Sequence, residues 1–126
     1  VAGDVNHDGF GDIIIGAHRW NNNQGAVYVI YGGPKASLPN IDFGLAVLDP
    51  KTTGFMIKGK GHGSMFGYTV NGAGNVNKDE YDDVIIGAYA TGGNNQGAVY
   101  LIHSSKEILY EISLIISFNR LSCRAL

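Results

Sequence analysis

The sequence predicts an all-β protein built from two consecutive copies of a four-stranded unit, followed by a C-terminal tail. The first observation is an internal repeat, in which the stretch from Gly3 to Ala17 returns from Gly74 to Ala88, a displacement of 71 positions. The second is composition, since 19 of the 126 residues are glycine and only 16% are charged, as in chains with many tight turns between strands. Repetition at a fixed period indicates units that cover each other's hydrophobic faces.

The first two strands of each copy are predicted from short apolar runs. Residues 13–16 and 84–87 are rich in β-branched side chains and bounded by polar loops, which is typical of strands. The runs that follow do not alternate between apolar and polar residues, as expected where a sheet is covered on both faces. These second strands are predicted at 26–31 and 98–102, and Asn/Gly-rich hairpin links at 19–24 and 92–96.

Two further strands complete the predicted period. Residues 55–58 and 66–71 are strand candidates, separated by a glycine-rich turn, so four strands are expected in each unit. All three prolines fall within residues 32–54. Because proline cannot donate a hydrogen bond to a sheet, we expect this connection to run over the surface.

The C-terminal segment, residues 106–126, departs from the repeat. It contains no glycine and does not match the first copy, so a replacement fourth strand, an amphipathic helix and a non-native terminus all stay open. Its most apolar part, residues 108–118, is too short to cross a bilayer and contains Glu111. We expect a buried strand or helix there and no membrane span in this chain.

Composition argues against several classes of function. The net charge is −2 and Lys and Arg do not cluster, so no nucleic-acid partner is expected. Cys123 is the single cysteine, which precludes an internal disulfide and a paired-cysteine zinc site. Ser64, Ser104 and Ser105 lack the surroundings of a nucleophile elbow, and we predict no catalytic residues and no enzymatic activity.

Oxygen-bearing side chains recur in the first loop, residues 4–12. Asp4, Asn6, Asp8 and Asp12 stand at relative positions 1, 3, 5 and 9, and the carbonyl of Phe10 stands at position 7. Alternate positions of a tight loop can turn their oxygens to one point, and calcium takes about six to eight oxygen ligands. Three carboxylates also repel one another without a cation. The first loop is therefore a predicted calcium site.

The second loop, residues 75–83, repeats this pattern with two departures. Asn75 replaces a carboxylate by a neutral oxygen, and Glu80 replaces Gly9 where we expect a left-handed backbone, a strain of roughly 1–2 kcal/mol. Glu80 and Asp82 are expected to add long-range attraction while pointing away from the ion. Weaker calcium binding is predicted here, through the side chains of Asn75, Asn77, Asp79 and Asp83 and the carbonyl of Tyr81.

The pattern of the loops is also similar to two other kinds of segment, an EF-hand and a simple polar turn. An EF-hand needs a bidentate Glu at position 12 and a helix on either side. Position 12 is Ile15 in one copy and Ile86 in the other, both within predicted strands, so the EF-hand is rejected. Simple Asx-type turns between strands, without any metal, stay open as an interpretation.

Four short motifs resemble the FG-GAP repeat of integrin α-chain β-propellers and related secreted multi-repeat proteins. They are Phe66-Gly67, Gly16-Ala17-His18, Gly87-Ala88-Tyr89 and the strand from Gly54 to Gly59. The resemblance covers residues 1 to 103 and implies two consecutive four-stranded blades of a partial β-propeller, with calcium in the hairpin loops. It divides the chain into a blade without its first strand, a second blade and a tail, at residues 1–59, 60–105 and 106–126.

The same resemblance implies a function. We expect a calcium-binding segment of a cell-surface or secreted protein that mediates adhesion or protein–ligand binding. Its partners would be a protein or extracellular-matrix ligand and the remaining propeller blades of the parent chain. The alternative is an accessory or scaffold propeller domain of an extracellular hydrolase or lyase, because one fold serves many functions.

Overall fold

Two antiparallel sheets of three strands each form the regular structure of residues 1–35, 48–91 and 96–106, which are the residues that the computed structural model describes. The first sheet has the order β1 (Ile13–Ala17), β2 (Ala26–Ile30), β3 (Gly54–Lys58). The second has the order β4 (Phe66–Gly74), β5 (Asp83–Ala88), β6 (Ala98–Ile102). A four-residue turn, α1 (Trp20–Asn23), lies between β1 and β2, and Asn21 and Asn22 within it have non-helical backbone angles.

All six predicted strands are confirmed, and the differences lie at their ends. The four-stranded unit is not confirmed, because each sheet of the described residues has three strands. The predicted tail, residues 106–126 with its apolar run 108–118, lies outside the described residues except for Lys106. Most of the link 92–96 and the middle of the connection 32–54 lie outside them as well. No helix in the described ranges is long and apolar enough to cross a membrane.

The two sheets have the same strand register. Ile15 lies opposite Tyr28 in the first sheet, and Ile86 lies opposite Tyr100 in the second. Ile86 is 71 positions after Ile15, whereas Tyr100 is 72 positions after Tyr28. The extra residue of the second link is therefore absorbed between the strands, where a longer loop costs little.

The first link connects its own hairpin to the next unit. Asn21, Asn22 and Asn23 all have positive φ, at 48°, 55° and 61°, a conformation that asparagine tolerates better than most residues. The backbone of Met65 donates to the Asn23 carbonyl at 2.9 Å. The Gln24 side chain donates to the Gly59 carbonyl at 2.6 Å. The link thus fixes the turn that leads into β4.

The hydrophobic core lies between the two sheets. Strand β1 packs on β4 across this boundary, and the buried residues of both sheets form one continuous cluster. Complete burial of one such aliphatic side chain is worth roughly 1.5–3 kcal/mol. Each unit therefore depends on its neighbour, as the repeat predicts, and the central members are Val27, Val29, Ile57, Phe66, Val84, Ile86 and Tyr100.

Candidate metal centre

Both oxygen-rich loops are closed at the base by an antiparallel bridge. In the first loop, Gly3 pairs with Asp12, with Asp12 N donating to Gly3 O at 2.7 Å. In the second, Gly74 pairs with Asp83. Each loop leads directly into a strand, β1 or β5, and β4 enters the second loop. A strand follows each loop and another precedes the second, where an EF-hand needs helices, which confirms that the loops are not EF-hands.

Hydrogen bonds gather three of the predicted ligands of the first loop. The carboxylate of Asp4 accepts from the backbone N–H groups of Asp8, at 3.0 Å, and Gly9, at 2.9 Å. The Asn6 amide donates to the Asp8 carboxylate at 2.8 Å, and that carboxylate also accepts from Phe10 N at 2.9 Å. The bond from Phe10 N to Asp8 has the two-residue spacing of an Asx turn. Each carboxylate retains further lone pairs, so the same oxygens have the chemistry that calcium requires.

Asp12 is more deeply buried than Asp4, Asn6 and Asp8, with 1% of its surface exposed. Its carboxylate accepts from Val5 N at 2.7 Å and from Gly32 N at 2.8 Å. Burial raises the pKa of Asp12 against the effect of these two hydrogen bonds, and the charges of Asp8 and Asp4 raise it further. The three carboxylates thus repel one another, and a divalent cation would relieve that repulsion.

The first loop does not form a preformed cage. Within the described ranges, no three Asp, Glu, His or Cys side chains come together as a group that could hold a metal. Asp12 is engaged with the backbone, while Asp4 and Asp8 are engaged within the loop. The donor set therefore fits calcium by chemistry and charge, and coordination would require these side chains to draw closer together.

The second loop reproduces two parts of this arrangement. The Asn77 amide donates to the Asp79 carboxylate at 2.8 Å, as Asn6 does to Asp8, and Tyr81 N donates to it at 2.8 Å. Asp83 is fully buried and accepts from Val76 N and Ser104 N, each at 2.9 Å. Positions 5 and 9 therefore have the same local roles in both loops.

The two loops differ at position 1, and the expected strain at Glu80 is wrong. The Asn75 amide donates to the carbonyl of Asp79, whereas the Asp4 carboxylate accepts from Gly9 N. The peptide between positions 5 and 6 is consequently turned the opposite way, because an amide can donate and a carboxylate can only accept. Gly9 has a φ of 87°, whereas Glu80 does not have positive φ. The second loop avoids the strain by directing an amide group, rather than an oxygen, at its own backbone.

A contact between the loops was missed by sequence reasoning. Asp82 Oδ2 accepts from Asp4 N at 2.9 Å, and Asp82 N donates to Asp4 O at 3.0 Å. The rings of His7 and Tyr81 also approach across the same boundary, with centroids 5.6 Å apart. No local pattern signals the Asp4–Asp82 pair, since its members are 78 positions apart.

Exposed aromatic side chains lie at the opposite end of the strands. Tyr68 and Tyr89 are 55% and 51% exposed, and their ring centroids are 5.5 Å apart. The His18 ring meets Tyr68 edge-on at 5.3 Å. His18 follows the end of β1 and Tyr89 follows the end of β5, whereas the loops precede these strands. In the sequence these rings directly follow the Phe-Gly and Gly-Ala motifs, and this position is the signal that could have predicted the cluster.

Comparison with known proteins agrees with this geometry. The model of the FG-GAP repeat family matches residues 1–30 and 66–102, which include both loops and five of the six strands. The gap between the matched segments contains β3 and the connection before it.

Three known proteins are similar to most of this chain but are much longer than it. Integrin alpha pat-2 of Caenorhabditis elegans is 36% identical over 86% of this chain and 9% of its own length. Human integrin alpha-8 is 33% identical over 71% of this chain and 8% of its length. Bovine phosphatidylinositol-glycan-specific phospholipase D is 34% identical over 85% of this chain and 13% of its length.

The chain thus spans about a tenth of these relatives. Its two sheets have one register, Gly16 of the first sheet lies against Gly67 of the second, and the family model matches both units. The resemblance drawn from the sequence is confirmed, and the chain belongs to the FG-GAP repeat family.

Proposed function

We propose that this chain is a calcium-binding segment of an FG-GAP β-propeller, in a cell-surface or secreted protein that binds a protein or extracellular-matrix ligand. The observation that supports calcium binding is the set of interacting carboxylates in the first loop. Hydrogen bonds hold the carboxylates of Asp4 and Asp8 within the loop that the Gly3–Asp12 bridge closes, and their charges raise the pKa of Asp12. A divalent cation would remove this repulsion and accept the free lone pairs of the same oxygens.

Each loop has its own proposed ligand set. In the second loop the Asn75 amide nitrogen faces the Asp79 carbonyl, so this side chain would have to turn before its oxygen could reach an ion. We therefore propose a weaker second site. The first set is Asp4, Asn6, Asp8, the Phe10 carbonyl and Asp12; the second is Asn75, Asn77, Asp79, the Tyr81 carbonyl and Asp83.

The proposed role of calcium is structural. An ion that binds the folded loop and not the unfolded chain stabilises the fold by mass action, by about 2.7 kcal/mol at a hundredfold excess over its dissociation constant. Extracellular modules bind calcium with dissociation constants of roughly 0.1–1 mM, so even a weak site would be useful outside the cell. Calcium would stabilise the folded conformation of each loop next to the strand, β1 or β5, that the loop joins.

Thermal unfolding of the 126-residue chain tests the calcium proposal. Calcium chloride should raise the midpoint of the wild-type chain relative to EDTA, and Asp8→Ala should abolish most of the increase by removing a ligand. Glu80→Gln is the matched control, because it removes a negative charge from an exposed side chain outside the proposed ligand set. A wild-type midpoint that is the same in calcium and in EDTA would contradict the proposal.

The proposed ligand-binding role has separate support. Two of the relatives named above are integrin alpha chains. In the aromatic surface formed by His18, Tyr68 and Tyr89, both tyrosines are exposed and His18 is half-buried, and this surface lies away from the loops. Exposed aromatic clusters are common at protein-binding sites, where they contribute much of the binding energy. We propose this surface as the place where a protein ligand or partner chain binds.

The second candidate function is an accessory propeller domain of an extracellular hydrolase or lyase. It is favoured by the 34% identity to a bovine phospholipase D over 85% of this chain. The sequence of the parent on both sides of the chain separates the two candidates. A catalytic domain next to the repeats would support the accessory role, whereas only further repeats with a membrane anchor would support the adhesion role.

A further inference from the structure

Asp4 and Asp82, one from each loop, are joined by two reciprocal hydrogen bonds. Asp4 N donates to the Asp82 carboxylate at 2.9 Å, and Asp82 N donates to the Asp4 carbonyl at 3.0 Å. Space for this contact depends on Gly3, because a Cβ atom there would stand 2.3 Å from Asp82 Oδ2. The carboxylate of the second loop is therefore fitted against the backbone of the first.

The pair connects proposed ligand positions of both loops. Asp4 is position 1 of the first loop, and its own carboxylate accepts from the loop backbone. Asp82 lies between Tyr81 and Asp83, which are positions 7 and 9 of the second loop. A displacement of either partner would move proposed ligands in both loops, because the bonds are made by the backbone as well as by a side chain.

Further contacts extend the connection on either side of the pair. The backbone of Gly72 in β4 donates to the Val1 carbonyl at 3.2 Å, so the segment leading into the first loop lies along the strand that leads into the second. The rings of His7 and Tyr81 lie 5.6 Å apart. The two loops thus meet at the Asp4–Asp82 pair and at the two rings, and the segments that lead into them meet at a third place.

We propose that Asp82 is a positioning residue for the first loop and that it couples the two loops, so that calcium in one loop raises the calcium affinity of the other. This inference rests on the proposed calcium function. An ion that orders one loop fixes its half of the Asp4–Asp82 pair, and the other loop then loses less conformational freedom on binding. Such coupling is reciprocal by thermodynamic necessity.

Calcium titration calorimetry of the 126-residue chain tests the positioning role. Asp82→Ala removes the acceptor of Asp4 N and should weaken calcium binding to the first loop by about tenfold, a typical size for coupling between sites. Asp82→Asn keeps an acceptor oxygen and loses only the charge, so it should restore most of the affinity. Glu80→Gln removes one charge from the same loop and measures the purely electrostatic effect. Asp82→Ala binding as tightly as Glu80→Gln would overturn the role.

The coupling itself is tested by disabling one loop at a time. Asp79→Ala removes a proposed ligand of the second loop and should lower the affinity of the first, while Asp8→Ala should lower that of the second by the same factor. In chains that also contain Asp82→Ala, both effects should vanish. Effects that persist in the Asp82→Ala chains, or unequal factors, would overturn the coupling.

Two controls separate the possible failures. If the wild-type chain binds no calcium, the proposed function fails together with the coupling. If it binds two ions independently and each single-loop variant leaves the other site unchanged, only the coupling fails. Far-UV circular dichroism without calcium checks that each variant is folded. If Asp82→Ala does not fold, the calcium affinity of Asp82→Asn tests the positioning role, and Asp79→Ala and Asp8→Ala test the coupling.

Discussion

Gly16 of β1 lies against Gly67 of β4 so closely that a Cβ atom on Gly16 would stand 2.1 Å from the Gly67 carbonyl oxygen. Gly67 is equally constrained, since it has a φ of 83° and its own Cβ would stand 2.6 Å from the Ala26 carbonyl oxygen. The Gly-Ala motif of the first unit and the Phe-Gly motif of the second therefore meet where the two sheets touch. Both glycines are required because backbone approaches backbone.

Replacement of Gly16 should be strongly destabilising. The added methyl group of Gly16→Ala meets backbone, which cannot rotate away, and overpacking of this kind typically costs about 1–3 kcal/mol. We expect a loss at the upper end of that range in the free energy of unfolding, measured with urea. Gly61→Ala is the control, because a Cβ there has no atom within 4 Å, and its effect should stay within about 0.5 kcal/mol. Equal effects of the two changes would contradict the proposed role of the glycine contact.

Asp83 should stabilise the fold even without calcium. Its buried carboxylate accepts from Val76 N and Ser104 N, and a buried donor left without a partner costs about 1–3 kcal/mol. In EDTA, Asp83→Ala should lower the free energy of unfolding by about 2 kcal/mol or more. Asp79→Ala, an exposed change in the same loop, should have a smaller effect under these conditions. If the two variants lose the same stability in EDTA, Asp83 has no special structural role.

The second loop should gain calcium affinity when position 1 becomes acidic. Asn75→Asp adds a carboxylate and removes the amide that now faces the Asp79 carbonyl, and ligand charge is one of the factors that set calcium affinity. The gain should be partial, because the arrangement of the first loop places position 6 at positive φ, which costs about 1–2 kcal/mol for a residue such as Glu80. Asn75→Asp with Glu80→Gly should therefore bind more tightly than Asn75→Asp alone.

Calorimetry with calcium chloride measures this gain, and Gln96→Glu serves as its control. Gln96 is exposed and lies just before β6, in the link at the opposite end of the strands from the loops. A new charge there should leave the second site almost unchanged. If Gln96→Glu raises the affinity as much as Asn75→Asp does, net charge rather than the ligand position explains the gain.

Tyr31 should make stability fall at alkaline pH. Burial raises the pKa of Tyr31 from 10.0 to about 12, with further contributions from the charges of Asp12 and Asp8. Because the folded-state pKa is the higher one, its contribution to stability is complete below pH 10 and is lost as the pH rises from 10 to 12. Tyr31→Phe should lose less stability over this interval than the wild-type chain does.

At neutral pH the same variant should be slightly less stable. Tyr31→Phe loses the hydrogen bond from the phenol to the Pro50 carbonyl, 3.0 Å long, and such a bond contributes about 1 kcal/mol. Urea unfolding at several pH values measures both effects. Tyr89→Phe, at an exposed position, should follow the wild-type pH dependence. A Tyr31→Phe curve parallel to that of wild type between pH 10 and 12 would contradict the prediction.

Local sequence patterns predicted the strands and the place of the loops correctly. The β-branched runs became β1 and β5, and the apolar run after each link became β2 and β6. These patterns report properties of a single segment, namely its turn chemistry and the burial of its faces. The expectation for Glu80 was wrong because a residue pattern does not show which way a peptide group turns. The Asn75 amide donates to the Asp79 carbonyl, and Glu80 does not have positive φ.

The sequence by itself determined the repeat and the membership of both units in one family, because equivalent positions recur at a constant displacement, and it indicated the residues that we propose as calcium ligands. Only the tertiary structure showed that Gly16 touches Gly67 and that Asp82 binds Asp4. It also showed that Asp12 and Asp83 are buried acceptors of backbone N–H groups. The contacts of Gly16 with Gly67 and of Asp82 with Asp4 join residues far apart in the chain, and they exist because the two sheets pack against each other and bring their loops together at one end.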